Sequence, residues 1–196
     1  MKKIEIIWRE LLYQAIEKNN RRFTQKDLAE KFNFSTSTVF QALKAPRKMG
    51  AIRVTGRFFV LENPEKLLFH WASVRQLKKD IVFSTRVQPP VLEIEGKMPP
   101  DTVFGGYSGA RQKLSVPPAD YDKVYVYSQN LPAIKSRFSE QKGNVNLIVL
   151  KPDDFLADYG QTTTLAQTFV DLWNLPEWYA KEFTEPLKKK IDELLS

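Results

Sequence analysis

The sequence contains no cysteine and only one histidine, His70. Without thiols there can be no disulfide, no thiolate nucleophile and no cysteine-ligated zinc, and a lone imidazole builds neither a histidine metal cluster nor a site with several histidines. Long apolar runs are missing too, since nothing approaches the roughly 18 residues of a membrane span. The opening Met1-Lys2-Lys3-Ile4-Glu5 meets charge too early for a secretory leader. A cytoplasmic protein is expected, with no cofactor and no metal. Low-complexity tracts and internal repeats are also lacking, and 196 residues leave room for two domains.

What the chain has is positive charge, unevenly placed. Its formal net charge is +7, yet residues 1–60 carry thirteen Lys and Arg against Glu5, Glu10, Glu17, Asp27 and Glu30, an excess of eight. The N-terminal part therefore holds more than the whole excess. Clustered Lys and Arg favour a polyanionic partner, because neutralising phosphates releases their condensed counterions.

In that basic segment Ile4, Ile7, Trp8, Leu11, Leu12, Ala15 and Ile16 recur at helical spacing, predicting an amphipathic helix that ends near Asn19-Asn20. Thr24 then caps a second helix, with Asp27 in the capping-box position and Leu28, Ala29 and Phe32 as its apolar stripe. After a turn at Asn33-Phe34, Ser35 caps a third helix. Val39 and Leu43 face the core there, leaving Thr36, Ser37, Gln41 and Lys44 outward. Phe40 either completes the core, the favoured reading, or touches a thymine methyl. Past Gly50, two β-prone runs around Thr55-Gly56-Arg57 predict a hairpin with a basic tip.

The run from Gln25 to Leu43 resembles the helix-turn-helix of bacterial and archaeal winged-helix regulators. Ala29 sits where two helices would cross, Phe34 plugs the turn, and Gly50 with Ile52 leads into a wing. Asn33 stands where that family has glycine, a replacement Asn tolerates in a left-handed backbone. Pro46 stands where the family often has Leu, so the third helix is expected to kink or stop early. The resemblance implies double-stranded DNA as partner. Ser35, Thr36, Ser37, Gln41, Lys44 and Lys48 are then the candidate DNA-binding residues of the third helix, joined by Arg21, Arg22, Arg53 and Arg57 on phosphates or in the minor groove.

Residues 1–62 are thus expected to form a winged-helix domain, 63–80 a connecting helix carrying His70, and 81–196 an α+β domain. His70 reads as a packed or surface residue. The second domain opens with Ile81-Val82-Phe83 and runs through turn-rich Gln88-Pro89-Pro90 and Met98-Pro99-Pro100, and strands are predicted at Val91 to Glu95, Thr102 to Tyr107, Val124 to Tyr127 and Val145 to Leu150. Helices are predicted near Ser108 to Leu114, Leu131 to Phe138, Leu165 to Trp173 and Glu177 to Leu195, the last interrupted or bent at Pro186. Trp173, Trp178 and Tyr179 are expected in the core.

Gly105-Gly106-Tyr107-Ser108-Gly109-Ala110-Arg111, followed by Asp120-Tyr121-Asp122, resembles the nucleotidyltransferase pattern of a small-residue phosphate turn and a magnesium-binding carboxylate pair. Here the acids follow Pro117-Pro118 and precede Lys123, outside the apolar strand. The same stretch, with Asp122 to Tyr127 and Thr164 to Leu172, is more similar to the C-terminal half of the AbiEi family of type IV antitoxins. Those are winged-helix proteins whose second domain resembles a catalytically inactive nucleotidyltransferase. This resemblance implies a non-enzymatic repressor of its own operon whose partner is a nucleotidyltransferase-type toxin. Two other readings stay open from the residues: an enzyme transferring nucleotides to nucleic acid, and a protein-interaction module.

Overall fold

A computed structural model describes residues 1–196 as an α+β chain of nine α-helices and two small sheets. The N-terminal part comprises α1 (Lys3–Glu17), β1 (Arg22–Phe23), α2 (Gln25–Phe32), α3 (Thr36–Lys48), β2 (Ile52–Thr55) and β3 (Phe58–Leu61). Its sheet is antiparallel in the order β1-β3-β2. The caps follow the sequence: Thr24 Oγ1 accepts from the Asp27 amide at 3.0 Å and Ser35 Oγ from the Thr38 amide at 3.2 Å. Asn33 takes the left-handed conformation, φ +49°, that ends α2.

Pro46 does not break α3, which runs on to Lys48. A proline inside a helix deprives the carbonyl four residues earlier of its donor. Here that carbonyl belongs to the fully buried Ala42, and the indole Nε1 of Trp8 supplies the missing hydrogen bond at 2.7 Å. Pro186 is accommodated differently. The last helix passes through it unbroken, and the carbonyl it leaves unpaired is that of exposed Glu182, where water can serve.

The chain continues through α4 (Pro64–Val74), β4 (Ile81–Thr85), α5 (Val91–Gly96), β5 (Val103–Gly105), α6 (Gly106–Leu114), β6 (Val124–Tyr127), α7 (Leu131–Arg137), β7 (Leu147–Leu150), α8 (Leu165–Trp173) and α9 (Ala180–Leu195). The second sheet has the order β4-β7-β6-β5, with only β6 and β7 parallel. Tyr125, Tyr127, Ile148 and Leu150 point to one face, beneath α6, α8 and α9, while Val124, Val126, Leu147 and Val149 meet Ile94 and Ile134 on the other. Both faces are buried, so β6 and β7 read as unbroken apolar runs.

Several expected elements differ. Val91 to Glu95 is helical, because Pro90 seats the first turn and the 3.6-residue spiral carries Ile94 into the core, with Glu93 and Lys97 pairing one turn apart on the outside. Helix α6 begins at Gly106, earlier than its side chains suggest. Gly106 has φ +49°, and a Cβ there would lie 3.0 Å from Tyr125 Cβ, so the backbone turns into the helix where no side chain fits. Tyr179 is buried as expected, whereas Trp173 and Trp178 are exposed by 51% and 83%. His70 is half-buried, edge-on to Trp8, and burial lowers its pKa.

One core of 41 buried residues runs from Ile6 to Ile191, so the N-terminal helices and the second sheet share an interior. Helix α1 lies at its centre, packed on α3, α4, α8 and α9. Polar clamps cross the same boundary. Arg9, with no exposed surface, grips Asp153 through two hydrogen bonds of 2.6 and 2.8 Å, and Glu10 accepts from Lys31 and Tyr159, each at 2.6 Å. Arg75 of the α4 end reaches Asp80 at 2.6 Å and Asp171 at 3.3 Å. No helix is long and apolar enough to cross a membrane.

Candidate nucleic-acid interface

The buried face of α3 is apolar because Val39, Ala42 and Leu43 recur at helical spacing and lose all exposure to the core. The same periodicity must turn the remaining residues outward. Thr36, Ser37, Gln41, Lys44 and Lys48 are all exposed, and form a row of hydroxyl, amide and ammonium groups along one helix face.

Beside α3 the chain reverses between β2 and β3. Thr55 pairs with Phe58, leaving a two-residue loop of Gly56, at φ +55°, and Arg57. Arg57 is consequently held at the exposed tip. Arg22, paired with Val60 on the neighbouring strand, lays its guanidinium 3.5 Å from the centre of the Phe58 ring. A cleft of about 200 Å³ opens between the start of α2, the end of α3 and this hairpin, lined in part by Lys26, Arg47 and Arg57. The Nε of Arg47 is buried and has no hydrogen-bond partner in the chain. Carboxylates reach few of these cations: Lys26 meets Glu30 across 3.6 Å of exposed surface, and none contacts Arg22, Lys44, Arg47, Lys48 or Arg57.

Three candidates have other work. Ser35 exchanges hydrogen bonds with Thr38 as the cap of α3. Arg21 donates to the Leu195 carbonyl at 2.7 Å, a cation at the negative end of α9, so it is tied to that helix end rather than gathered with the others. Arg53 is paired to Glu62 across the hairpin base. Arg47 follows Lys44 on α3 and is legible from the sequence as a base- or phosphate-directed cation, whereas Lys26 is not, because only the hairpin brings Arg57 beside it. Phe40, expected in the core, is 42% exposed on α3. Its position, one residue beyond Val39, turns it about 100° away from the buried stripe.

No family model, curated protein or solved structure matches the chain. The physical content of the surface therefore rests on its own groups: donors and acceptors along α3, with cations flanking them on the hairpin, on Arg22 and around the cleft.

The second motif is arranged otherwise. Asp120 and Asp122 lie in the exposed approach to β6, before the strand begins at Val124. Asp122 accepts a hydrogen bond from the Tyr179 hydroxyl, and Lys123 pairs with Glu177. Tyr107 also donates to Glu177, at 3.0 Å. Burial, reinforced by these carboxylates, holds the Tyr107 and Tyr179 hydroxyls protonated well above the ordinary tyrosine range, which keeps them donors. No three His, Cys, Asp or Glu side chains converge as a metal site.

Proposed function

We propose that the chain is a sequence-specific, DNA-binding transcriptional regulator whose N-terminal part is a winged helix-turn-helix. Helix α3 is its recognition helix and the β2–β3 hairpin its wing. The observation that carries this is the row Thr36, Ser37, Gln41, Lys44 and Lys48 on one exposed helix face, beside cations that no carboxylate neutralises. Hydroxyls and amides hydrogen-bond base edges in the major groove, and Lys and Arg hold phosphates, so the face combines both kinds of contact. The Arg47 guanidinium, which lines the cleft with Lys26 and Arg57, adds a cation suited to a phosphate.

The function extends to an AbiEi-like role, in which the protein represses its own operon and opposes a nucleotidyltransferase-type toxin. Supporting it are the Gly105-Gly106 turn leading from β5 into α6 and the carboxylates Asp120 and Asp122 standing outside β6. Such a carboxylate pair lacks the rigid strand that would hold both oxygens about 2.0–2.1 Å from magnesium. The second domain then acts by binding, not by nucleotidyl transfer.

The test uses the full chain and duplex DNA from upstream of its own gene, compared with unrelated duplex of equal length. Five phosphate-directed cations, Arg22, Lys26, Arg47, Lys48 and Arg57, correspond to a slope of about −4 to −5 when log K is plotted against log salt. Tighter binding to the upstream DNA with a steep slope is expected. Absent binding, or binding flat with salt, rejects the DNA reading.

A further inference from the structure

Phe40 is the apolar exception on the polar face of α3. It is exposed by 42%, next to Gln41, and lies one helical turn from Ser37 and Lys44. The core does not need it, for Val39, Ala42 and Leu43 fill that side completely. Two cations attend the ring: Lys44 Nζ lies 5.6 Å and the Arg47 guanidinium 5.3 Å from its centre. Both distances are within cation–π range. The ring is thereby braced in place by residues that would themselves face DNA.

We infer that Phe40 is a specificity-determining residue that reads the 5-methyl group of a pyrimidine in the major groove. This rests on the DNA reading above. Base edges in that groove present hydrogen-bonding groups at nearly every position, and the apolar feature among them is the pyrimidine 5-methyl. A phenyl ring offers no hydrogen bond and gains only by covering such a methyl, so the matching of apolar to apolar is what selects the base. Gln41, adjacent on the helix, has the donor–acceptor pair suited to adenine N6 and N7. Together the two side chains favour an A·T-containing contact, Gln41 through hydrogen bonds and Phe40 through the methyl. The same methyl is present on thymine and on 5-methylcytosine, and either base can supply it.

The full chain is first used to select its preferred duplex from a random pool. Each thymine of that duplex is then replaced singly by deoxyuridine, which deletes the methyl and nothing else. At one position per bound protein the wild type is expected to lose about fourfold in affinity, the effect of exposing one methyl-sized group. In Phe40→Ala that loss disappears, while the other thymines respond as before. Phe40 is outside the core, so this variant keeps its fold, and an unchanged melting curve checks that. Cytosine and 5-methylcytosine compared at the same position separate the sources: a gain with 5-methylcytosine assigns recognition to the methyl on either base, and no gain assigns it to thymine alone. Sequence-selective binding with identical deoxyuridine responses in wild type and Phe40→Ala overturns the inference while leaving the DNA reading intact. Failure of the wild type to select any sequence overturns both.

Discussion

Trp8 Nε1 donates a 2.7 Å hydrogen bond to the carbonyl of Ala42, the group that Pro46 leaves without a donor from its own helix. The contact joins α1 to α3 at the point where the proposed reading helix would otherwise fail. A buried carbonyl without a partner costs about 1–3 kcal/mol, and Trp8 and Ala42 are both buried.

Trp8→Phe is therefore expected to destabilise the protein by at least that ~1–3 kcal/mol, because it removes the donor and some packing. Pro46→Ala restores the backbone N–H to Ala42. In the Trp8→Phe background it should recover part of the loss, giving a favourable coupling energy in a urea-denaturation double-mutant cycle. Strict additivity of the two changes would show that the indole bond does not compensate the proline.

A second prediction concerns the charges buried behind α4. Arg75 faces Asp171, Asp80 and Glu5, and Asp171 also accepts from the Tyr127 hydroxyl at 2.5 Å. Burial pushes the Asp171 carboxyl above its ordinary range, and Arg75 and Tyr127 pull it back. Arg75→Met should cost about 3–5 kcal/mol, since it leaves buried charge uncompensated. A folded-state pKa raised above the unfolded value means that stability is present below the unfolded pKa and is lost as pH rises through the folded one. Without Arg75 that pKa climbs further. The deficit against wild type should thus be larger at neutral pH than near pH 5, and Asp171→Asn should recover part of it. A deficit independent of pH in thermal melts would contradict this account.

Gln41→Ala and Lys48→Ala should differ in kind. Loss of the Gln41 amide is expected to cost about 1–3 kcal/mol on the preferred duplex and to relax preference at one base pair. Loss of the Lys48 ammonium should weaken all duplexes alike and reduce the salt slope by about one. Competition binding against single-base variants of the selected duplex distinguishes the two. Were neither change to alter sequence ranking or affinity, α3 would not be the reading element.

Asp120 and Asp122 separate a regulator from a nucleotide-transferring enzyme. The double change Asp120→Asn with Asp122→Asn should leave folding and DNA binding intact. The side-chain amide introduced in place of the Asp122 carboxylate keeps a carbonyl oxygen that can accept from Tyr179, and neither position lies within the strand. Wild type incubated with magnesium and a labelled nucleotide should transfer no label to RNA or protein. Label transferred by wild type and lost in the double variant would make the chain an enzyme.

Much of the N-terminal architecture is legible in the sequence because its signals are local. Thr24 and Ser35 cap helices through amides three residues away, Asn33 adopts its left-handed turn by its own conformational tolerance, and Val39 with Leu43 declares the buried side of α3 by spacing alone. The outward placement of Thr36, Ser37, Gln41 and Lys44 follows from that spacing.

Tertiary structure decided whatever depends on partners distant along the chain. Continuity of α3 through Pro46 needs Trp8 from another helix, and Arg21 is drawn to Leu195, 174 residues away. Val91 to Glu95 is too short for period to distinguish strand from helix, so packing of Ile94 selected the helix. The side of the helix on which Phe40 lies is set by the 100° step from Val39, but whether that side is covered depends on what else folds over it. Residue types and spacing determined the local backbone and the chemistry of the α3 face; long-range contacts determined which of those side chains remained free to use it.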